Sequence, residues 1–194
     1  SGTATIAAGS QNTTVTITVA NDTINEANET FTLDLSSLAG GAGSNNSISD
    51  ASGTATISDN DTPSLSINDV TVTEAAAASF TITSSIASDA ALTVNYAAAS
   101  GTATAGTDFA TTTGTATIAI GATTTTVSVP TTADAINEAD ETYTVGLTSQ
   151  GGGQRSVVAI GDASGAGVIN DDDDVLLSIN DVTVNEEAGT AVFT

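Results

Sequence analysis

Carboxylates recur in this chain within two copies of one acidic phrase, residues 20–32 and 132–144, which begin 112 residues apart. Each copy carries an acid, a second acid four residues later and a third acid three residues after that. These acids are Asp22, Glu26 and Glu29 in the first copy, and Asp134, Glu138 and Glu141 in the second. Clustered carboxylates supply the hard oxygen ligands that calcium and magnesium prefer. The repeated spacing therefore indicates repeated sites for a hard cation.

Other chemistry is limited by the residues that the sequence lacks. It contains no Cys and no His, which excludes disulfides, thiolate metal sites, the usual zinc ligands and the usual general base. Arg155 is the only basic side chain against 23 acids, so nucleic acid is a very poor partner. No apolar run reaches the length of a membrane span, and we expect no membrane insertion. The net charge of −22 indicates either neutralisation by bound cations or a coat that keeps the protein soluble.

The same offset extends far beyond the acidic phrase and defines a tandem repeat. Residues 1–74 align with residues 113–186 without a gap, at roughly half identity. A unit of 112 residues can bury its own core, which predicts that each repeat is a separate domain. We predict the C-terminal part of one repeat at 1–62, a complete repeat at 63–174 and the N-terminal part of the next at 175–194. The linkers contain no Gly/Ser spacer, so neighbouring repeats should abut, and we expect the chain to be a window from a longer array.

Short alternating segments rich in Thr and Val must position these acids. Residues 14–19, 79–83, 92–96 and 125–129 alternate polar and apolar side chains, which is typical of half-buried strands. About seven such strands per repeat, separated by Gly, Asn and Asp, predict an all-β, immunoglobulin-like antiparallel sandwich. The pair Asn68 and Asp69 interrupts the first strand, as a bulge, a tight turn or an extra ligand.

Within the complete repeat the acids fall into four groups at predicted turns or strand ends. Glu74 follows the first strand pattern, Asp108 lies in a middle turn, the acidic phrase forms a third group, and Asp171, Asp172 and Asp173 close the repeat. Turns of a sandwich gather at its two ends, so groups distant in sequence can meet. Each close carboxylate pair would repel by about 4 kcal/mol at intermediate dielectric, which favours a bound divalent cation.

The phrase D-x-x-x-E-x-x-E-T-[FY], with the closing I-x-D-x-D or I-x-D-D-D, resembles the Calx-beta domain over the whole chain. This is a calcium-binding sandwich of sodium–calcium exchangers and many bacterial surface proteins. The resemblance implies Ca²⁺ as the cofactor. In the complete repeat it implies the ligands Glu74, Asp108, Asp134, Glu138, Glu141, Asp171, Asp172 and Asp173. In the first repeat it implies Asp22, Glu26, Glu29, Asp59 and Asp61, with Asn60 as a weaker oxygen donor.

Several features weigh on this assignment. Family members with the fullest clusters carry two adjacent Asp residues where this chain has Ala133-Asp134, so we expect fewer ions than the maximum. The acidic phrase could also be a solvated loop, or a short helix, although like charges four residues apart disfavour a helix. Residues 40–45 nearly fit a calcium β-roll repeat but are better interpreted as a plain loop. Arg155 follows three glycines and is predicted in a flexible loop.

Three classes of function fit these observations to different degrees. We favour a structural role in a long extracellular bacterial fibre or adhesin, with beads stiffened by calcium, neighbouring repeats as partners and possible self-assembly into filaments. The alternatives are a calcium-sensing regulatory pair and a metal-free spacer. An enzyme such as a carboxylate-pair glycosidase is disfavoured, because the chain has no Trp and only two Tyr to form a sugar platform.

Overall fold

The computed structural model of the chain describes residues 1–40, 46–151 and 158–194. Residues 41–45 and Arg155, each predicted in a loop, lie outside these ranges. Within the described ranges, strands dominate and one 3-10 turn occurs at Glu186–Ala188. The strands are β1 Glu29–Asp34, β2 Ser52–Ile57, β3 Ser64–Ile67, β4 Val70–Thr73, β5 Ala77–Ser84, β6 Leu92–Ser100, β7 Thr113–Ile118, β8 Thr124–Pro130, β9 Glu141–Gly151, β10 Ala159–Ile160 and β11 Ser164–Asn170. No helix in this part of the chain has the length and apolarity that crossing a membrane requires.

Strands β3 to β11 form a sandwich of two sheets. One sheet has the order β10-β3-β5-β8, and the other has the order β4-β11-β9-β6-β7. The predicted all-β, immunoglobulin-like sandwich is confirmed. Two pairings depart from the antiparallel expectation, because β10 lies parallel to β3 and β11 lies parallel to β4. Each sheet thus has one edge strand that runs parallel to its neighbour.

The first strand of the complete repeat is divided between the sheets at Asn68 and Asp69. The Asn68 side-chain oxygen accepts a hydrogen bond from the Thr81 amide at 2.5 Å, next to the first sheet. The Asp69 carboxylate accepts one from the Ala166 amide at 2.7 Å, beside the second sheet. The predicted interruption is therefore a switch of the chain from β3 to β4, and these side chains cap backbone donors on either side of it.

The core lies between the sheets and follows the predicted alternation. Val127 and Val129 on β8 are buried, and so are Val145 and Leu147 on β9. Three aromatic rings fill the centre: the Tyr143 ring stacks on the Phe109 ring at a centroid distance of 4.5 Å and meets the Phe80 ring edge-on at 6.0 Å. Gly167 on β11 pairs with Tyr143 in the register of the sheet.

Residues 1–62 form less structure than the complete repeat. Their β1–β2 pair is antiparallel, and Val15, Ile17 and Leu33 are exposed, although their counterparts 112 residues later are buried. Residues 175–194 contain only the 3-10 turn. The predicted repeat boundaries at 62/63 and 174/175 stay a prediction.

The sandwich has two ends, which differ in composition. At the proximal end, where β3 begins, lie the loop of residues 85–91 and the β7–β8 turn. At the distal end, where β4, β8 and β11 finish and β9 begins, lie Glu74, Asp134, Glu141 and Asp171. The topology therefore gathers the acids predicted as ligands at the distal end.

Candidate metal centre

Different strands deliver the carboxylates of the distal end. Glu74 directly follows β4, Glu141 opens β9 and Asp171 directly follows β11. Asp134 lies in the connection from β8 to β9. Asp108 lies in the connection from β6 to β7, where its carboxylate accepts a hydrogen bond from the Thr104 amide at 2.6 Å. The register of one sheet, together with the long β6–β7 connection, therefore brings these acids together.

Glu74, Asp134 and Asp173 form the tightest group. One carboxylate oxygen from each lies within 4.8 Å of the others, a separation close to that of two ligands across a calcium ion, about 4.6–5.2 Å. The Asp134 amide donates to the Glu74 carboxylate at 3.3 Å. The Asp134 carboxylate in turn accepts a hydrogen bond from the Ile136 amide at 2.8 Å, which fixes the orientation of the carboxylate. Backbone amides thus hold the carboxylates of Glu74 and Asp134 in place.

Two buried carboxylate oxygens at the end of the repeat also indicate a cation. Asp171 Oδ1 and Asp173 Oδ2 are buried and have no hydrogen-bond partner among the described residues. A buried charged oxygen without a partner is costly unless a positive charge compensates it. Arg155, the only Lys or Arg of the sequence, lies outside the described ranges. The donor set consists of oxygens alone, as calcium requires, and therefore fits this ion.

Burial and mutual repulsion raise the pKa of several of these acids. Desolvation raises the pKa of Glu74, and the charges of Asp134, Asp171 and Asp173 add to it, against a lowering hydrogen bond from the Asp134 amide. Desolvation and the charge of Asp171 similarly raise the pKa of Asp173. The cluster therefore binds positive charge, protons included, more readily than isolated carboxylates do.

The remaining predicted ligands belong to the same field of charge. The pKa of Glu141 is raised by desolvation, then by the charge of Asp108 and a hydrogen bond between their side chains, with further contributions from Glu138 and Glu74. Asp172 adds to the repulsion on Asp173. The structure thus brings all eight predicted acids of the complete repeat to the distal end, and their ligation of a metal stays a prediction.

The five predicted ligands of the first repeat also converge. Asp22, Glu26, Glu29, Asp59 and Asp61 line one cavity of about 260 Å³. Desolvation raises the pKa of Glu26, and the charges of Asp22 and Glu29 add to this. Among the described residues, however, three acids approach one another within 4.8 Å only in the complete repeat. The first site is the looser of the two.

Some residues of the site were not predicted from the sequence. Asn137 donates to the Asp171 carboxylate at 3.4 Å and to the Asp173 carbonyl at 2.5 Å. The Asp140 carboxylate accepts a hydrogen bond from the Asp171 amide at 3.3 Å. In the same way, the Asn28 side-chain oxygen accepts one from the Asp59 amide at 3.0 Å. The repeat contained a signal for these residues. Asn137 matches Asn25, and Asp140 matches Asn28, so each position keeps a side chain that can make the same hydrogen bond in both repeats.

Comparison with known proteins agrees with this architecture. No curated protein matches the chain. Two solved structures share the fold at 22% identity: CBD12 from CALX1.2, with a TM-score of 0.52, and the calcium binding domain CBD12 of CALX1.1, with a TM-score of 0.51. The matches cover 57% and 56% of this chain, and 46% of each of those chains. The sequence matches the Calx-beta domain over residues 2–62 and again over residues 58–174. With almost the whole sequence matched, the chain belongs to the Calx-beta domain family.

Proposed function

We propose that this chain is a calcium-binding structural segment of a longer extracellular fibre or adhesin at a bacterial surface, stiffened by Ca²⁺ at the distal ends of its sandwiches. The observation that carries the proposal is the convergence of Glu74, Asp134 and Asp173, with two buried carboxylate oxygens that lack a partner in the described ranges. A divalent cation there would remove the repulsion and satisfy both oxygens.

Calcium is favoured over magnesium by the composition of the site. Ca²⁺ takes about six to eight oxygens in flexible geometry, whereas Mg²⁺ keeps several waters and uses about one or two carboxylates. The distal end offers many carboxylates from four connections, which suits the larger ion. A related solved structure is named as a calcium binding domain, which supports the same choice.

The structural role is supported by where the acids lie along the chain. Asp59 and Asp61 belong to the six-residue connection between β2 and β3, and both line the cavity of the first repeat. Pro63, in the same connection, is buried. A cation in that cavity would therefore hold the connection against the repeat that precedes it, and so limit bending between repeats.

Thermal unfolding tests calcium binding directly. The chain is melted in millimolar calcium, in chelator and in millimolar magnesium, by calorimetry. We expect a higher melting temperature in calcium, because the ion binds the folded state alone. Asp134→Asn, which keeps an oxygen for the Ile136 amide, should remove most of this gain for the complete repeat. Asp162→Asn, at the opposite end, removes the same charge and should leave the gain intact.

Equal melting temperatures in calcium and chelator would overturn calcium binding and make the acids a solubility coat. The fibre role has its own test in small-angle scattering of the chain with and without calcium. Stiffening predicts a longer and narrower distribution of distances in calcium at the same folded content. A large shape change at micromolar calcium would instead indicate a regulatory switch.

A further inference from the structure

Asn25 differs in environment from the rest of its acidic phrase. Its side chain is fully buried at 0% exposure, although Asp22, Asn28 and Glu29 around it are exposed. The residues that cover it include Ser88, which is 2% exposed and lies in the proximal loop of the complete repeat. A residue of the first repeat is thus buried against the second.

The contact is built mainly from backbone hydrogen bonds. The Asn25 amide donates to the Ala87 carbonyl at 3.0 Å, and the Asp89 amide donates to the Asn25 carbonyl at 3.1 Å. Asn25 and Ser88 thereby form an isolated parallel bridge. The Ser88 hydroxyl lies 3.2 Å from both the carbonyl and the side-chain oxygen of Asn25. This pattern is a single step of strand addition between two repeats.

The other half of the Asn25 side chain faces its own repeat. Its Nδ2 donates to the Asp61 carbonyl at 2.7 Å and lies 3.4 Å from the Asp59 carboxylate. The carboxamide therefore accepts from the second repeat and donates to the linker at the same time. Aspartate would lose the donor, and an apolar residue would lose both functions, so this position requires an amide.

We propose that Asn25 is a docking residue, which fixes the first repeat on residues 87–89 of the complete repeat and sets the angle between the two. The buried carboxamide bonds the Asp61 carbonyl of the linker and the Ser88 hydroxyl at the same time. Truncating that one side chain removes both bonds and loosens the joint, although the backbone bonds of residue 25 remain. The partner surface is the proximal loop of a Calx-beta repeat of this chain.

The neighbouring charges couple this joint to the acids beside it. Glu26 is next in sequence, and its pKa is raised first by desolvation and then by like charges, among them Asp89 from the other side of the joint. Repulsion between the two repeats therefore opposes docking, and a cation at the first cavity would relieve it. This coupling rests on the proposed function, whereas docking by Asn25 does not.

The repeat provides a matched control for the experiment. Asn137 makes the same two bonds within its own repeat, to Asp171 and Asp173, and is exposed. Asn25→Ala and Asn137→Ala therefore remove equivalent internal contacts, and only Asn25→Ala removes the contact with Ser88.

The distance between repeats is measured by pulsed electron spin resonance. The natural sequence has no Cys, so Thr54→Cys and Ser128→Cys, both at exposed strand positions, carry the two labels. We expect a narrow distance distribution for the parent chain and for Asn137→Ala, and a several-fold broader one for Asn25→Ala. Ser88→Ala should broaden it to a smaller extent, because the Asn25 carboxamide then keeps its bond to the Asp61 carbonyl of the linker.

Each outcome decides the proposal. A narrow distribution in Asn25→Ala, or equal broadening in Asn137→Ala, would overturn docking by Asn25. Circular dichroism must show the same strand content in all variants, and Ser88→Ala provides an independent test from the other side of the joint if Asn25→Ala unfolds. Broadening in Asn25→Ala with no effect of calcium on any variant would support docking while contradicting the proposed calcium function.

Discussion

At the scale of single residues, the acids at the distal end repel one another and so destabilise the fold that brings them together. Glu74 and Asp173 are half-buried, and each lies in the field of several other carboxylates. No Lys, Arg or His side chain occurs among residues 1–40, 46–151 and 158–194 to neutralise them. The stability of the complete repeat should therefore depend on what positive charge the solution supplies.

A pH dependence follows for the chain in chelator. The pKa values of Glu26, Glu74 and Asp173 are raised in the folded protein, mainly by desolvation. Between the ordinary carboxyl pKa and the raised one, the folded state holds protons that the unfolded state has lost, so stability falls as pH rises. We expect a higher melting temperature at about pH 5 than at pH 7 by calorimetry.

Calcium should remove this rise of the melting temperature on acidification. Protons compete with the ion for the same oxygens, so the melting temperature in calcium should not rise on acidification as it does in chelator. Identical pH profiles in the two conditions would contradict a shared site.

The acids themselves could be predicted from their spacing, whereas their supports could not. Glu74 and Asp134 stand out because carboxylates in turns carry an evident chemistry. Asn25 and Asp140 act through the linker that folds back on them, and their partners lie 36 and 31 residues away in sequence. Such contacts depend on the closing of the whole sandwich, which a local pattern does not encode.

At the scale of the strands, β9 packs closely on β11 around Gly167. A Cβ added at Gly167 would overlap the ring of Tyr143, its partner in the register. That ring is itself held between Phe109 and Phe80 and has little room to move. The first repeat has Ala55 opposite Phe31 at the matching positions, in a hairpin that is more open.

Gly167→Ala should therefore destabilise the complete repeat by about 1–3 kcal/mol through overpacking. Urea unfolding followed by circular dichroism measures the loss. Gly53→Ala is the control, because nothing lies within 4 Å of the Cβ that it would add. Equal stabilities for the two variants would contradict the close packing of the Tyr143 ring against Gly167.

The strand pattern was predictable where burial is periodic and less so where pairing is nonlocal. Val127 and Val129 alternate with exposed neighbours, which is the signal of a half-buried strand. The two-residue strand β10 and the parallel pairing of β4 with β11 have no comparable signal. The pairing of β4 becomes possible because the chain switches from the first sheet to the second at Asn68 and Asp69.

At the scale of the whole molecule, the net charge of −22 acts over the spacing between repeats. The Debye length is about 30 Å at 0.01 M salt and about 8 Å at 0.15 M. Sodium chloride should therefore raise the melting temperature in chelator over this range, and it should reduce the additional gain from calcium. Calorimetry across a salt series measures both. A chain insensitive to salt in chelator would show that the acids cost the fold little.

The joint at Asn25 also determines what kind of assembly a series of such repeats can form. The docking residue belongs to the distal end of one repeat, and Ser88, whose hydroxyl donates to it, belongs to the proximal end of another. An interface between two different surfaces is heterologous and has no twofold axis. Each added repeat therefore presents an unoccupied distal or proximal surface to which another repeat can dock. Repeating one such contact generates a screw operation, and a chain of docked repeats would trace a helix whose pitch is set by the geometry at this asparagine.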